Sequence, residues 1–278
     1  MLEIPESFNL AKQLNQTVKN KVIKNITAAQ SPHKFAFYFN DNPDNYNALL
    51  SGKKIEKIDP VAGQVEITAE NTRILFGDGV NVRYLPDKEK IPEKHQLLIE
   101  FDDNSYIVCT VQMYGILYAF SQGENDNFYY HVAKTKPSPL STDFDIKYFE
   151  KIVSDAKPAL SVKALLATEQ RIPGLGNGVL QDILFASGIN PKTKIKFLDT
   201  SDIDRLFRNI KEILFKMSEN GGRDTEKDLF GNYGNYKTIL SAKTYKKPCS
   251  ICGTGIIKQA YLGGNVYFCP VCQPLKGS

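Results

Sequence analysis

The chain has 278 residues, 42% of them hydrophobic and 24% charged, enough for one large domain or two ordinary ones with their own cores. No stretch approaches the eighteen or more apolar residues of a membrane span, and the N-terminus lacks the basic-then-apolar pattern of a secretory signal, which together predict a cytoplasmic protein with no membrane partner. With 35 basic and 31 acidic residues the net charge is only +4, so charge alone does not establish a polyanionic partner.

In chain order, Phe8, Ala11, Leu14 and Val18 recur at helical spacing after Pro5 and predict an amphipathic helix. A strand-rich region follows, with strand patterns over Val22 to Thr27, Lys34 to Asn40, Val65 to Phe76, Val80 to Leu85 and Gln96 to Phe101. The turn residues Asp102 to Ser105 then lead into Tyr106 to Phe120, where Cys109 reads as a small buried hydrophobe on a strand. Lys134 to Pro139 breaks regular structure, and beyond it the period changes from two to helical. Helices are predicted over Phe144 to Ser154, Ser161 to Thr168, Gly176 to Ser187 and Ser201 to Ser218, the last closed by Gly221-Gly222. Lysines gather at Lys53, Lys54 and Lys57, at Lys192, Lys194 and Lys196, and at Lys243, Lys246 and Lys247; each cluster taken alone reads as a solvated face.

Four of the five cysteines fall in the last thirty residues. Cys249-Ser-Ile-Cys252 and Cys269-Pro-Val-Cys272 form two Cys-x-x-Cys knuckles separated by sixteen residues, a spacing that presents four thiolates tetrahedrally to zinc. Redox dithiols or two disulfides are the alternative. Ile256-Ile257 and Val266 to Phe268 read as hairpin strands around Gly263-Gly264-Asn265, making the element a zinc ribbon. Four thiolate positions leave no open coordination site, so one structural Zn2+ with a folding role is expected.

In Arg171 to Pro191, the residues Pro173, Gly174 and Gly176 predict a tight turn opening a helix, with free backbone amides and Asn177 pointing away from its N-terminus. That arrangement suits a phosphate. A glycine-rich turn that only joins two helices is the plainer reading.

This segment followed by a four-cysteine ribbon resembles the helix-two-turns-helix and zinc finger of the formamidopyrimidine-DNA glycosylase and endonuclease VIII family. Glu3-Ile-Pro5-Glu6, Pro92-Glu-Lys-His and Phe268-Cys-Pro-Val-Cys-Gln273 extend the resemblance over nearly the whole chain. It implies an α+β fold: an N-terminal helix and β-sandwich over 1–135, a helix-two-turns-helix domain over 136–240 and a four-cysteine finger over 241–278, gripping bent double-stranded DNA as a monomer. By the same resemblance, Asn177 of the Gly176-Asn177 turn and Lys163 on the preceding helix hold phosphates flanking a lesion, without reading sequence.

The resemblance also places departures at the chemistry. The family's amine nucleophile is an N-terminal proline, and Leu2 stands at that position, leaving the free amine expected on Met1. The acids Glu3 and Glu6 are retained; Glu3 is either a proton-transfer group or only a carboxylate at a helix N-terminus. The family's early-hairpin lysine corresponds to Gln64, its void-filling methionine to Asp78, and the finger's phosphate-gripping arginine to Gly264, while Met113 or Tyr114 remains as an apolar wedge. The expected function is therefore recognition of damaged, abasic or distorted DNA with the proline chemistry altered or lost. The alternatives are a glycosylase or lyase working through the Met1 amine or a Glu3-activated water, and a ribbon scaffold for a protein partner.

Overall fold

The computed structural model describes residues 2–277, apart from the side chain of Glu89. It is mixed α+β and divides into two compact units, Met1–Lys134 with Gly221–Asn235, and Thr135–Asn220 with Tyr236–Ser278. Among the described residues no helix is long and apolar enough to cross a membrane.

The first unit opens with α1 (Ile4–Thr17), entered through Pro5 in its first turn, which lacks only an amide the helix start would leave unpaired anyway. Its apolar stripe of Leu10, Ala11 and Leu14 packs on a sandwich core. Among the described residues nine strands follow: β1 (Ile23–Ala28), β2 (Ala36–Tyr38), β3 (Ile55–Val61), β4 (Gln64–Ala69), β5 (Thr72–Gly77), β6 (Val80–Leu85), β7 (Leu97–Phe101), β8 (Tyr106–Val111) and β9 (Gly115–Ser121). They form a four-stranded sheet in the order β1-β7-β8-β6 and a five-stranded sheet in the order β2-β9-β5-β4-β3. Alternate residues of both sheets, among them Ile67, Ile74, Phe76, Ile99, Phe101 and Ile107, share one buried cluster, the mark of sheets packed face to face. Two short helices complete the unit, α2 (Tyr46–Leu50) and α3 (Phe128–Thr135). Leu229 of the returning segment is fully buried in the same core.

The second unit contains α4 (Ile146–Asp155), α5 (Val162–Ala167), α6 (Leu180–Ala186), α7 (Thr200–Glu219) and the hairpin β10 (Ile257–Tyr261) with β11 (Gly264–Phe268). Asp145, Ser161 and Asp199 cap α4, α5 and α7 through their side chains, and Asp199 forms a reciprocal capping box with Asp202. The hairpin packs on α6 through Phe185 and Tyr267. Polar anchors reinforce it: the Gln273 amide nitrogen donates to the Ile189 carbonyl at 2.9 Å, and Asn190 donates to the Gln273 carbonyl at 2.9 Å, all of them buried.

Several elements differ from the sequence expectation. The strand read over Lys34 to Asn40 is only Ala36–Tyr38, because Asn40 and Asp41 take positive φ of 51° and 52° and turn the chain into a 3-10 segment. Val65 to Phe76 is two strands bent at Glu70 and Asn71. The helix expected from Gly176 starts at Leu180, after an irregular turn over 177–179. The ribbon hairpin reverses one residue earlier than predicted, at Leu262 (φ 47°) and Gly263 (φ 73°), which places Gly264 and Asn265 in β11 opposite Tyr261 and Ala260.

Candidate functional site

The four ribbon cysteines converge, with all their sulfurs within 4.8 Å of one another. Each knuckle folds by its own backbone: the Cys249 amide donates to the Thr254 carbonyl at 2.8 Å, and the Cys272 amide donates to the Cys269 sulfur at 3.4 Å. The Cys249–Cys272 and Cys252–Cys269 sulfurs lie 3.7 and 3.5 Å apart. A zinc–sulfur bond of about 2.3 Å in a tetrahedron requires sulfurs about 3.8 Å apart, so the set fits zinc. Hydrogen bonds from Thr254 pull the Cys252 thiol down to about 6, whereas hydrogen bonding to Cys252 and burial push Cys272 up to about 12. Crowded sulfurs that resist joint ionisation are what a divalent cation resolves.

The ribbon tip and the glycine turn meet. Ile172, Pro173 and Leu175 are buried, which orients the turn and leaves Gly176 and Asn177 half-exposed. Asn177 donates through its side-chain amide to the Asn265 carbonyl at 2.9 Å. Gln181, one helical turn on, donates to the same carbonyl at 3.1 Å and accepts the Tyr267 amide at 3.0 Å. Lys163, only 2% exposed, reaches from α5 to donate to the Tyr261 carbonyl, and burial lowers its pKa. A side chain built at Gly264 would place its Cβ 3.3 Å from the Asn177 amide nitrogen. Asn177, Lys163, Gly176 and the tip of the hairpin are thus one local assembly. One ammonium hydrogen bond and one amide hydrogen bond leave donors to spare on Lys163 and Asn177.

In the other unit, Glu3 caps the start of α1 with its backbone, its carbonyl accepting the Ser7 amide at 2.9 Å. Its side chain is 3% exposed and faces the Arg223 guanidinium at 3.6 Å. Arg223 also grips Glu6 with two parallel bonds of 2.9 and 2.8 Å, and its backbone amide donates to Glu6 at 3.2 Å. The two carboxylates hold the Arg223 charge, raising its already high pKa despite complete burial. The sequence reading found both acids and missed Arg223, because Gly221-Gly222 reads only as a helix stop. Leu2 packs half-buried against the sandwich core. Together with Glu6, Val80 and Gly222 it lines a small, partly open cavity. Met1 lies outside the described residues.

The remaining candidate positions are all in this unit. Gln64 starts β4 with its side-chain oxygen buried and without a hydrogen-bond partner. Asp78 bonds to the Tyr114 hydroxyl, and burial raises its carboxyl pKa. Gly79 permits this approach, since a Cβ there would lie 1.8 Å from the Tyr114 carbonyl oxygen. Met113, beside them, is 69% exposed.

Comparison with known proteins gives a consistent result. Residues 136–228 match the family described as the formamidopyrimidine-DNA glycosylase H2TH domain. A formamidopyrimidine-DNA glycosylase of Mycoplasmopsis pulmonis is 29% identical, the match covering 99% of both chains. The Lactococcus lactis Fpg (MutM) bound to DNA containing N7-benzyl-Fapy-dG superposes with a TM-score of 0.83 at 26% identity, over 98% of this chain and 99% of that one. The same protein bound to DNA with an abasic site gives 0.84 at 25% identity, with the same coverage. In its helix-two-turns-helix segment the chain matches the formamidopyrimidine-DNA glycosylase family, and along its full length it is similar in sequence and fold to formamidopyrimidine-DNA glycosylases.

Proposed function

We propose that the protein binds double-stranded DNA at damaged, abasic or distorted positions, as a monomer acting on intracellular DNA, with the N-terminal-proline chemistry of its family altered or lost. The observation that carries this reading is the assembly of Asn177, Lys163 and the ribbon tip. Neutral and cationic donors collect there around a half-exposed turn, at the positions that hold phosphates in the family. The relatives described as bound to lesion-containing and abasic DNA support it. The four cysteines hold one structural zinc ion, which would keep the hairpin folded and its tip beside Asn177.

Leu2 at the nucleophile position supports the chemical half of the proposal. A leucine amide offers no ring amine to attack a sugar carbon, and catalytic groups that act as a unit lose most of their effect when one is removed. Titration of an abasic duplex over a range of salt, with borohydride reduction in parallel, tests both halves.

Glu3 favours a second reading. Its carboxylate lies 3.6 Å from the Arg223 guanidinium near the chain's N-terminus, and a carboxylate is the group a general base needs to activate water for glycosidic hydrolysis. Glu3→Gln abolishing base release would support it, and an unaffected rate would remove it.

A further inference from the structure

Strand β2 is apolar on both faces, yet only one is covered. Ala36 and Tyr38 pack on the sandwich core. The pleat therefore sends Phe35 and Phe37 to the other side, where they are 47% and 40% exposed. Next to them, in the loop between β8 and β9, Met113 and Tyr114 are 69% and 36% exposed.

These four side chains line one open groove, together with His33 and Lys34. The backbone keeps the two pairs side by side: β2 runs parallel to β9 with Ala36 opposite Gly115, and the Gly115 amide donates to the Phe35 carbonyl at 2.9 Å. The Lys34 ammonium sits 5.3 Å from the centre of the Phe35 ring. Gln112 completes the lining, in which Lys34 is the lysine, while the Asp78 carboxylate is engaged behind it by the Tyr114 hydroxyl. A contiguous exposed apolar patch marks a binding surface, and a lysine at its rim favours an anionic occupant. Flat aromatic faces with a lysine beside them suit bases stacked along a phosphate chain. A paired base within a duplex has both faces covered by its neighbours, so only unpaired bases can use such a platform.

We propose that this groove stacks unpaired nucleobases, and that the preferred substrate is DNA with unpaired bases beside the lesion rather than a fully paired duplex. The proposal rests on the DNA-binding reading and narrows its substrate class.

The test compares the full-length protein with Phe35→Ser/Phe37→Ser, whose outward-facing sites leave Ala36 and Tyr38 in the core. Fluorescence anisotropy is read on an abasic-analogue duplex and on the same duplex with a three-nucleotide bubble beside the analogue, and thermal melting verifies that the variant is folded. The bubble binds the wild type about tenfold more tightly than the paired duplex, and the variant loses this preference while holding the paired duplex as before. A 2-aminopurine placed in the bubble is quenched by the wild type and not by the variant. Equal bubble affinity of both proteins, with duplex binding intact, overturns this inference alone and leaves a protein partner for the groove. Failure of the wild type to bind either DNA overturns the DNA-binding reading as well.

Discussion

Asn177 donates its side-chain amide to the carbonyl of Asn265 at 2.9 Å, so a residue of the helix-two-turns-helix turn and a residue of the ribbon hairpin are fixed to each other directly. Gln181 reinforces the link from the following turn of chain, giving the Asn265 carbonyl two donors. Three hydrogen bonds, counting the Tyr267 amide to Gln181, thus join the hairpin to the turn, and under the proposed function they would couple metal-dependent folding of the one to phosphate binding at the other.

Asn177→Ala is expected to weaken DNA binding about tenfold, uniformly across sequences and without changing the salt slope, because the lost donor is neutral. Gly264→Arg is expected to act in the opposite direction. Its Cβ meets the Asn177 side chain at 3.3 Å, so a shift of that amide by a few tenths of an ångström admits the arginine, which adds a phosphate contact. Affinity should rise and the slope of log affinity against log salt should steepen by about one. Titrations from low to moderate salt measure both.

Arg223→Met should destabilise the protein by about 3–5 kcal/mol, since it strands two buried carboxylates without their cation. Adding Glu6→Gln to that variant should recover part of the loss, which chemical denaturation of the single and double variants would measure. Equal stability of Arg223→Met and wild type would contradict a stabilising role for these buried ion pairs.

Zinc removal should unfold the hairpin and release the tip from Asn177. Elemental analysis is expected to find one zinc per chain. A strong chelator should abolish DNA binding, and stoichiometric zinc should restore it. Cys269→Ser, which removes a fully buried sulfur, should behave like the chelated protein.

Lys21 and Asp103, 2.7 Å apart, tie the start of β1 to the β7–β8 turn. Burial opposes the Asp103 charge, but bonds from Lys21 and Ser105 outweigh it and hold the carboxyl at about 2. A depressed folded pKa contributes stability above the unfolded value near 4, and this contribution is lost as pH falls from about 4 to about 2. Asp103 is half exposed, so screening limits the effect at neutral pH to about 0.5 kcal/mol. The gap in denaturation midpoint between Asp103→Asn and wild type should therefore close in that window.

How far the fold was legible varies by element. Val80–Leu85 alternates cleanly because one face is solvated, and the predicted strand matches the observed one. Strand β3 went unread: it lies at a sheet edge, carries Pro60 and has a register irregularity between Ile55 and Lys57, so its buried residues do not fall at period two. Helix α3 went unread because it buries no side chain, and without a covered stripe there is no period to detect. The four cysteines carried their own spacing. Arg223 carried none, since its partners Glu3 and Glu6 lie more than two hundred residues away and only the fold brings them together.

The most direct measurement is a salt-dependent binding titration of the full-length protein on an abasic duplex, with borohydride reduction of the same mixture. The account predicts binding whose affinity falls steeply with salt and no covalent protein–DNA product. A salt slope near zero would contradict the phosphate clamp, and efficient trapping would contradict the altered chemistry.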